Sequence, residues 1–439
     1  MELNEQEKRQ IRKKRRQRNQ IIAYAVVILF IIALAAGIVR GVDYVAGMSK
    51  KMEQEKQEQQ DKLEDLFEEE EKIQTPEPTP DIPEVVELTP EQKLDEIVNA
   101  GIEVMPLEDK VAGLFIVTPE SITGVKKAVK AGEGTKEALS KYSVGGIVYF
   151  GQNIKSKEQF QEMIGNTILY SNYPIFIAID EEGGSVSRLA SAGLVQGVDS
   201  ATKIAQTGEM DKAYQAGNTI GTYLTEYGIN LDFAPVADLA NIEKSVIGDR
   251  SFGSDASAVS AYVNAMMKGL QDNKVTACLK HFPGIGSSTQ DTHKGLASTD
   301  RTAEEFRANE FVVFQSGIDA GADMIMVSHM SAPALDDSGV PCSLSEKVVT
   351  GILRNELGFD GVVITDALNM KAIADYKAAD EAAILALKAG CDMLLMPEDF
   401  EKAYEGVLKA VSDGVISEER INDALRRIYR IKYADKLPD

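Results

Sequence analysis

Histidine and cysteine are scarce, with three of each among 439 residues. The cysteines, Cys278, Cys342 and Cys391, stand far apart and form neither a CxxC spacing nor an even-numbered disulfide framework. They read as small buried hydrophobes. The histidines, His281, His293 and His329, belong to no HExxH pattern, and there is no EF-hand loop, so no metal site is expected. Positive charge is also in deficit, with 47 Lys and Arg against 69 Asp and Glu and a net charge of -22. Such a surface repels nucleic acid, which is excluded as a partner. Neither a dinucleotide-binding fingerprint nor a Walker pattern accompanies the Gly-x-Gly at Gly284–Gly286.

What is present begins with a basic tail. Residues 1–20 include the cluster Arg12-Lys13-Lys14-Arg15-Arg16. An uninterrupted apolar run follows at 21–39, long enough at roughly 1.5 Å per residue to cross a hydrocarbon core of roughly 30 Å. The positive-inside rule then predicts a single-pass signal anchor with a cytoplasmic N-terminus and an extracytoplasmic remainder. A cleaved signal peptide is the competing reading. Residues 40–81 are charged and then proline-rich, ending in Thr75-Pro76-Glu77-Pro78-Thr79-Pro80, and read as a stalk. Residues 82–439 remain for a folded domain, and 44% apolar residues over the chain suffice for a large core.

Within that domain, short apolar runs alternate with helical stretches. The runs are 114–117, 146–150, 175–179, 231–234, 276–279, 324–327, 361–364 and 393–396. Each is apolar on both faces, as a parallel strand covered by helices must be. Segments 258–271 and 303–320 carry apolar residues at helical spacing. Eight such strands predict an α/β fold, a (β/α)8 barrel of the TIM type, preceded by the transmembrane helix and stalk. Asp180, Lys280-His281, Ser328-His329 and Asp366 each follow or end an apolar run, Asp232 lies within one, and Asp238 follows shortly after. In a barrel these strand ends converge on one mouth, and bringing several ionisable groups together there is costly without a purpose.

The sharpest stretch is Lys280-His281-Phe282-Pro283-Gly284-Ile285-Gly286, followed after four residues by Asp291-Thr292-His293. Asp180-Glu181-Glu182-Gly183-Gly184 with Val186 and Arg188, then Asp249-Arg250-Ser251-Phe252, then Ile364-Thr365-Asp366-Ala367-Leu368-Asn369-Met370 complete an ordered set. Over roughly residues 100–435 the chain resembles the glycoside hydrolase family 3 β-N-acetylglucosaminidases (β-N-acetylhexosaminidases). The resemblance implies hydrolysis of terminal β-linked N-acetylglucosamine with retention, without a cofactor. It implies Asp366 as nucleophile and an Asp291–His293 dyad as acid/base. Asp180, Arg188, Arg250, Lys280 and His281 match the family's sugar-binding positions. The expected partners are β-N-acetylglucosaminide glycans, peptidoglycan fragments among them, and the membrane through the anchor. Departures from the family pattern are Ile285, Ser287 and Thr292.

The residues make that chemistry workable. Glycoside cleavage needs a proton donor for the leaving oxygen and a carboxylate on the opposite face. Asp366, ending a strand, supplies the carboxylate, although taken alone it could equally be a helix N-cap. An imidazole titrates near neutral pH, and an adjacent carboxylate orients it and raises its basicity. Three other readings stay open: an N-acetylglucosaminide phosphorylase of the same family, a Schiff-base aldolase using Lys280, and a non-catalytic anchored glycan-binding scaffold.

Overall fold

The structure is a computed structural model and describes residues 88–290 and 294–434. The chain divides into two units, 1–86 and 87–439, and every described residue belongs to the second. The basic tail, the 21–39 run, the stalk and the Asp291-Thr292-His293 triplet lie outside the described residues.

Eight parallel strands form the centre: β1 (Phe115–Val117), β2 (Gly146–Val148), β3 (Phe176–Ile179), β4 (Leu231–Asp232), β5 (Thr276–Phe282), β6 (Met324–Val327), β7 (Val362–Thr365) and β8 (Leu394–Leu395). They are hydrogen-bonded in the order β8-β1-β2-β3-β4-β5-β6-β7. Phe115 pairs with Leu394, and a parallel bridge between Ile364 and Met393 joins β7 to the start of β8, so the sheet closes on itself. Each strand coincides with one of the eight apolar runs. Nearly every strand residue is buried, because side chains on one face fill the barrel and those on the other meet the surrounding helices.

The helices bury one stripe each. In Glu418–Tyr433 the buried residues are Ile421, Ala424, Leu425, Ile428, Tyr429 and Lys432, at three- and four-residue spacing. Ser417 caps its N-terminus by accepting the Arg420 N–H. The helical segment expected over 303–320 is two helices, Ala303–Ala308 and Glu310–Asp319, broken at Asn309. The break turns Glu310 inward, where it meets Arg301 at 3.0 Å and Asn241 at 2.7 Å.

One expectation needs correction. No helix among the described residues is long and apolar enough to cross a membrane. The described helices are amphipathic covers for a barrel, with a polar face that hydrocarbon would not tolerate. The described residues support the parallel α/β barrel and include no membrane-crossing helix, and the single-pass localisation with an extracytoplasmic domain is not supported.

Candidate active site

Parallel strands bring all their C-terminal ends to one mouth. A cavity of about 290 Å³ opens there. Asp180 follows β3, Lys280 and His281 lie in β5, Asp366 follows β7, and Arg188 and Arg250 come from the loops after β3 and β4. All six line this one cavity. Phe150, Val246, Ile285, Met326 and Met396 add apolar wall. The mixture of a few charged groups with apolar surface suits a sugar, which carries both hydroxyls and C–H faces.

Two local devices aim these side chains. In β5 the ladder to β6 pairs Lys280 with Met326 and Phe282 with Val327, so His281 is an extra residue in a bulge. A bulge re-aims the side chains beside it. Lys280 and His281 both reach the cavity as a result, while Phe282 stacks on Phe311 and meets Phe314 edge-on in the core. After β3 the chain folds back as a short antiparallel pair, Glu181–Gly183 with Val186–Ser187. Its turn needs the left-handed φ values of Gly183 (92°) and Gly184 (56°), which glycine adopts without penalty. The fold-back returns Glu182 to the mouth.

Lys280 is the hub of the charged groups. Its Nζ lies 2.8 Å from Asp180 Oδ1 and 2.6 Å from Glu182 Oε1, and its side chain is 2% exposed. Arg250 holds Glu182 with a two-pronged pair, Nε to Oε2 and Nη2 to Oε1, both at 2.7 Å. Arg188 Nη2 reaches Asp180 Oδ2 at 3.3 Å, and its guanidinium lies over the Phe150 ring. Burial pushes the Glu182 carboxyl up, but Lys280 and Arg250 outweigh it and bring it down to about 2. Asp180 is likewise held below its ordinary value, burial being outweighed by Lys280 and Arg188. Burial depresses Lys280, and the two carboxylates overcome that and raise it. Such a network is stable only because each charge is matched. It presents fixed charges to a ligand without side-chain rearrangement.

His281 is set by a residue behind it. Fully buried Asp238 accepts the His281 Nδ1–H at 2.7 Å and the His281 and Ile285 backbone N–H groups at 3.0 and 2.7 Å. Asp366, across the mouth, accepts the Ala367 N–H through Oδ1 at 2.8 Å, and its Oδ2 has no hydrogen-bond partner among the described residues. Burial pushes the Asp366 carboxyl up; the His329 and His281 rings, the Ala367 N–H and Lys280 outweigh this and hold it below its usual value. Asp366 is therefore a carboxylate at neutral pH, with one oxygen fixed and one available.

Sequence reading assigned no role to Glu182, although it stood inside a quoted motif. Its signal was the Gly183-Gly184 pair, which predicts a sharp turn just after a strand. Asp238 was visible only as an acid shortly after a strand. Asp232 is fully buried beneath the mouth, where its Oδ1 accepts the Glu181 N–H at 2.9 Å and burial raises its carboxyl well above the usual range. It supports the Glu181–Glu182 backbone and does not line the cavity. His329 does not line it either. Among the described residues no group of three or more His, Cys, Asp or Glu is placed to hold a metal ion.

The description "Glycosyl hydrolase family 3 N terminal domain" matches residues 106–431. Beta-hexosaminidase A of Pseudoalteromonas piscicida is 31% identical over 332 residues, 69% of this chain and 55% of that protein. A Beta-hexosaminidase of Nitrosomonas eutropha is 34% identical over 282 residues, 62% of this chain and 79% of that protein. Among solved structures, a glycoside hydrolase family 3 β-N-acetylglucosaminidase from Paenibacillus sp. str. FPU-7 superposes with a TM-score of 0.70 at 33% identity, covering 76% of this chain and 64% of that one. The chain thus spans little more than half of one relative and about two thirds of the solved structure. With the family description matching most of the chain across a closed eight-stranded barrel, this protein belongs to glycosyl hydrolase family 3.

Proposed function

We propose that this chain is a retaining exo-β-N-acetylglucosaminidase that removes terminal β-linked N-acetylglucosamine, with peptidoglycan fragments as candidate natural substrates. The reading rests above all on Asp366, an ionised carboxylate with one oxygen fixed and the other without a hydrogen-bond partner among the described residues, across the mouth from the Asp180–Lys280–Glu182–Arg250 network. That network suits paired sugar hydroxyls, which both donate and accept. The name of the Paenibacillus protein, a β-N-acetylglucosaminidase, supports this sugar, and the names of the Pseudoalteromonas and Nitrosomonas proteins, beta-hexosaminidases, support the wider class.

In the proposed mechanism Asp366 Oδ2 attacks the anomeric carbon as the bond to the leaving oxygen breaks. His293, paired with Asp291, gives its proton to that oxygen. The resulting glycosyl ester on Asp366 is then hydrolysed. Neutral His293 takes a proton from water, the hydroxide forms a bond to the anomeric carbon, and Asp366 departs as a carboxylate. Two displacements on one carbon retain its configuration.

The direct test is hydrolysis of nitrophenyl β-N-acetylglucosaminide beside nitrophenyl β-glucoside, with and without phosphate. Selective release from the acetamido sugar, independent of phosphate, supports the reading. Dependence on phosphate would turn the assignment to a phosphorylase, and failure to act on either sugar would overturn it.

A further inference from the structure

A nucleophilic carboxylate must hold its attacking oxygen on line, and here the segment that follows it is gripped at successive backbone groups. The N–H groups of Asp366, Leu368 and Asn369 donate to the carbonyls of Val327, Leu395 and Met396 at 2.9, 2.8 and 3.0 Å. The remaining N–H, that of Ala367, donates to Asp366 Oδ1 and so sets the rotation of the carboxylate. Residue 367 is itself held at its carbonyl by a side chain: His329 Nε2 lies 3.0 Å from Ala367 O. The other ring nitrogen, Nδ1, lies 2.7 Å from Ser343 Oγ. Ser343 is anchored in turn, its N–H donating to Ser328 O at 3.1 Å.

A carbonyl oxygen can only accept, so Nε2 carries a proton. The Ser343 hydroxyl serves Nδ1 in either ring state, donating to a neutral imidazole and accepting from a charged one. His329 is fully buried in the segment after β6, the strand beside β7. An imidazole in that place costs more to desolvate than an aliphatic side chain of similar size. Its Nε2 contact falls on the residue next to Asp366, and its Nδ1 contact on the anchored Ser343 steadies the ring, which packing alone does not require. The ring is also the largest of the influences that outweigh burial and hold the Asp366 carboxyl below its ordinary value.

We propose that His329 is a positioning residue for the nucleophile: through the Ala367 carbonyl it fixes the Ala367 amide that orients Asp366, and so keeps Oδ2 aligned with the anomeric carbon. This rests on the reading of Asp366 as nucleophile. His329 touches no reacting atom in this account. Its effect falls on the bond-forming step and leaves sugar binding to the Lys280 network.

The test compares His329→Leu, His329→Gln and His329→Asn in the full chain, with nitrophenyl β-N-acetylglucosaminide as substrate. Gln keeps an N–H donor that reaches the Ala367 carbonyl, Asn is too short to do so, and Leu fills the volume without a donor. His329→Leu should lose roughly 10- to 100-fold in kcat, with KM changed by less than about threefold. Its acid limb should move to higher pH. His329→Gln should turn over several times faster than His329→Leu or His329→Asn. If His329→Leu does not fold, the Gln and Asn variants decide the matter, and equal kcat in those two overturns the proposal. Variants that lower only the unfolding temperature, with unchanged kcat per folded molecule and an unmoved acid limb, also overturn it. Wild-type turnover alongside these negative results defeats this inference alone, whereas an inactive wild type defeats the functional reading and takes this inference with it.

Discussion

Asp238 Oδ2 accepts from His281 twice, from the backbone N–H at 3.0 Å and from ring Nδ1 at 2.7 Å. A carboxylate only accepts, so Nδ1 carries the proton and Nε2 is left for the cavity. Asp238 Oδ1 takes the Ile285 N–H as well, at 2.7 Å, so one buried acid fixes both the imidazole and the start of the loop that leads to His293. Asp238→Asn should lower kcat/KM by roughly 10²- to 10³-fold, because an amide can offer Nδ1 the wrong partner and flip the ring's tautomer. Steady-state kinetics on a variant shown by circular dichroism to be folded checks this. A loss below about threefold would separate the His281 tautomer from the reaction.

Asp366→Ala should abolish turnover, by about 10³-fold or more, with an unfolding midpoint within a few degrees of wild type. The measurement pairs nitrophenol release with thermal unfolding. Mass spectrometry of the wild type after rapid acid quench should find a sugar ester on Asp366 and none in the variant. Activity near wild type in folded Asp366→Ala protein would remove Asp366 from the chemistry.

Glu182 gives a pH prediction. Its carboxyl titrates near 2 in the fold, against an ordinary value of 4.5. A depressed carboxylate adds stability that is complete above the unfolded value and is lost as pH falls through the folded one. The shift is on the order of 3 kcal/mol. Glu182→Gln removes it and leaves Lys280 and Arg250 short of a partner. The stability gap between wild type and variant should be several kcal/mol at about pH 7 and shrink between about pH 4.5 and pH 2. Urea unfolding of both proteins across that range checks it, and a gap that does not change with pH contradicts it.

Gly286 sits where no side chain fits. A Cβ there would lie 1.9 Å from Leu239 O and 2.7 Å from Leu239 C, both backbone atoms. Gly286→Ala must therefore push the β5 loop away from the β4 loop. The expected cost is about 2 kcal/mol or more, with a fall in kcat because the displaced segment runs on toward Asp291 and His293. Differential scanning calorimetry and kinetics on the same preparation test both parts.

The barrel was legible because burial on both faces leaves a plain mark: eight short apolar runs, each recovered as a strand. Boundaries were less so. The run at 231–234 is strand only at Leu231–Asp232, and Pro235 just beyond it has no N–H to give a ladder. The break at Asn309 was invisible, since apolar spacing continues across it and only the inward turn of Glu310 onto Arg301 and Asn241 explains it. Asp180, Arg188, Arg250, Lys280, His281 and Asp366 could be named from motif order and strand ends, and one cavity gathers them. Glu182, Asp238 and His329 could not be given tasks, because their partners lie on other strands and loops far away in the chain. The expected membrane helix rested on hydropathy and the basic cluster before it, and none of the described helices is long and apolar enough to cross a membrane.

The closure of β8 onto β1 also bears on how the protein comes into being. Phe115 and Leu394 are neighbours in the sheet and lie near opposite ends of the described chain. On a ribosome the first strand is made long before the last, and it must wait with an unpaired edge until residue 394 has emerged. Contacts of such long range are slow to form, and a half-made ring exposes apolar strands that invite association with other chains. Asp180 and Asp366 cannot face each other until that ring is shut, so catalytic competence should arrive only after β8 has been made. A nascent polypeptide halted before β8 would be a client for chaperones, not a slower enzyme.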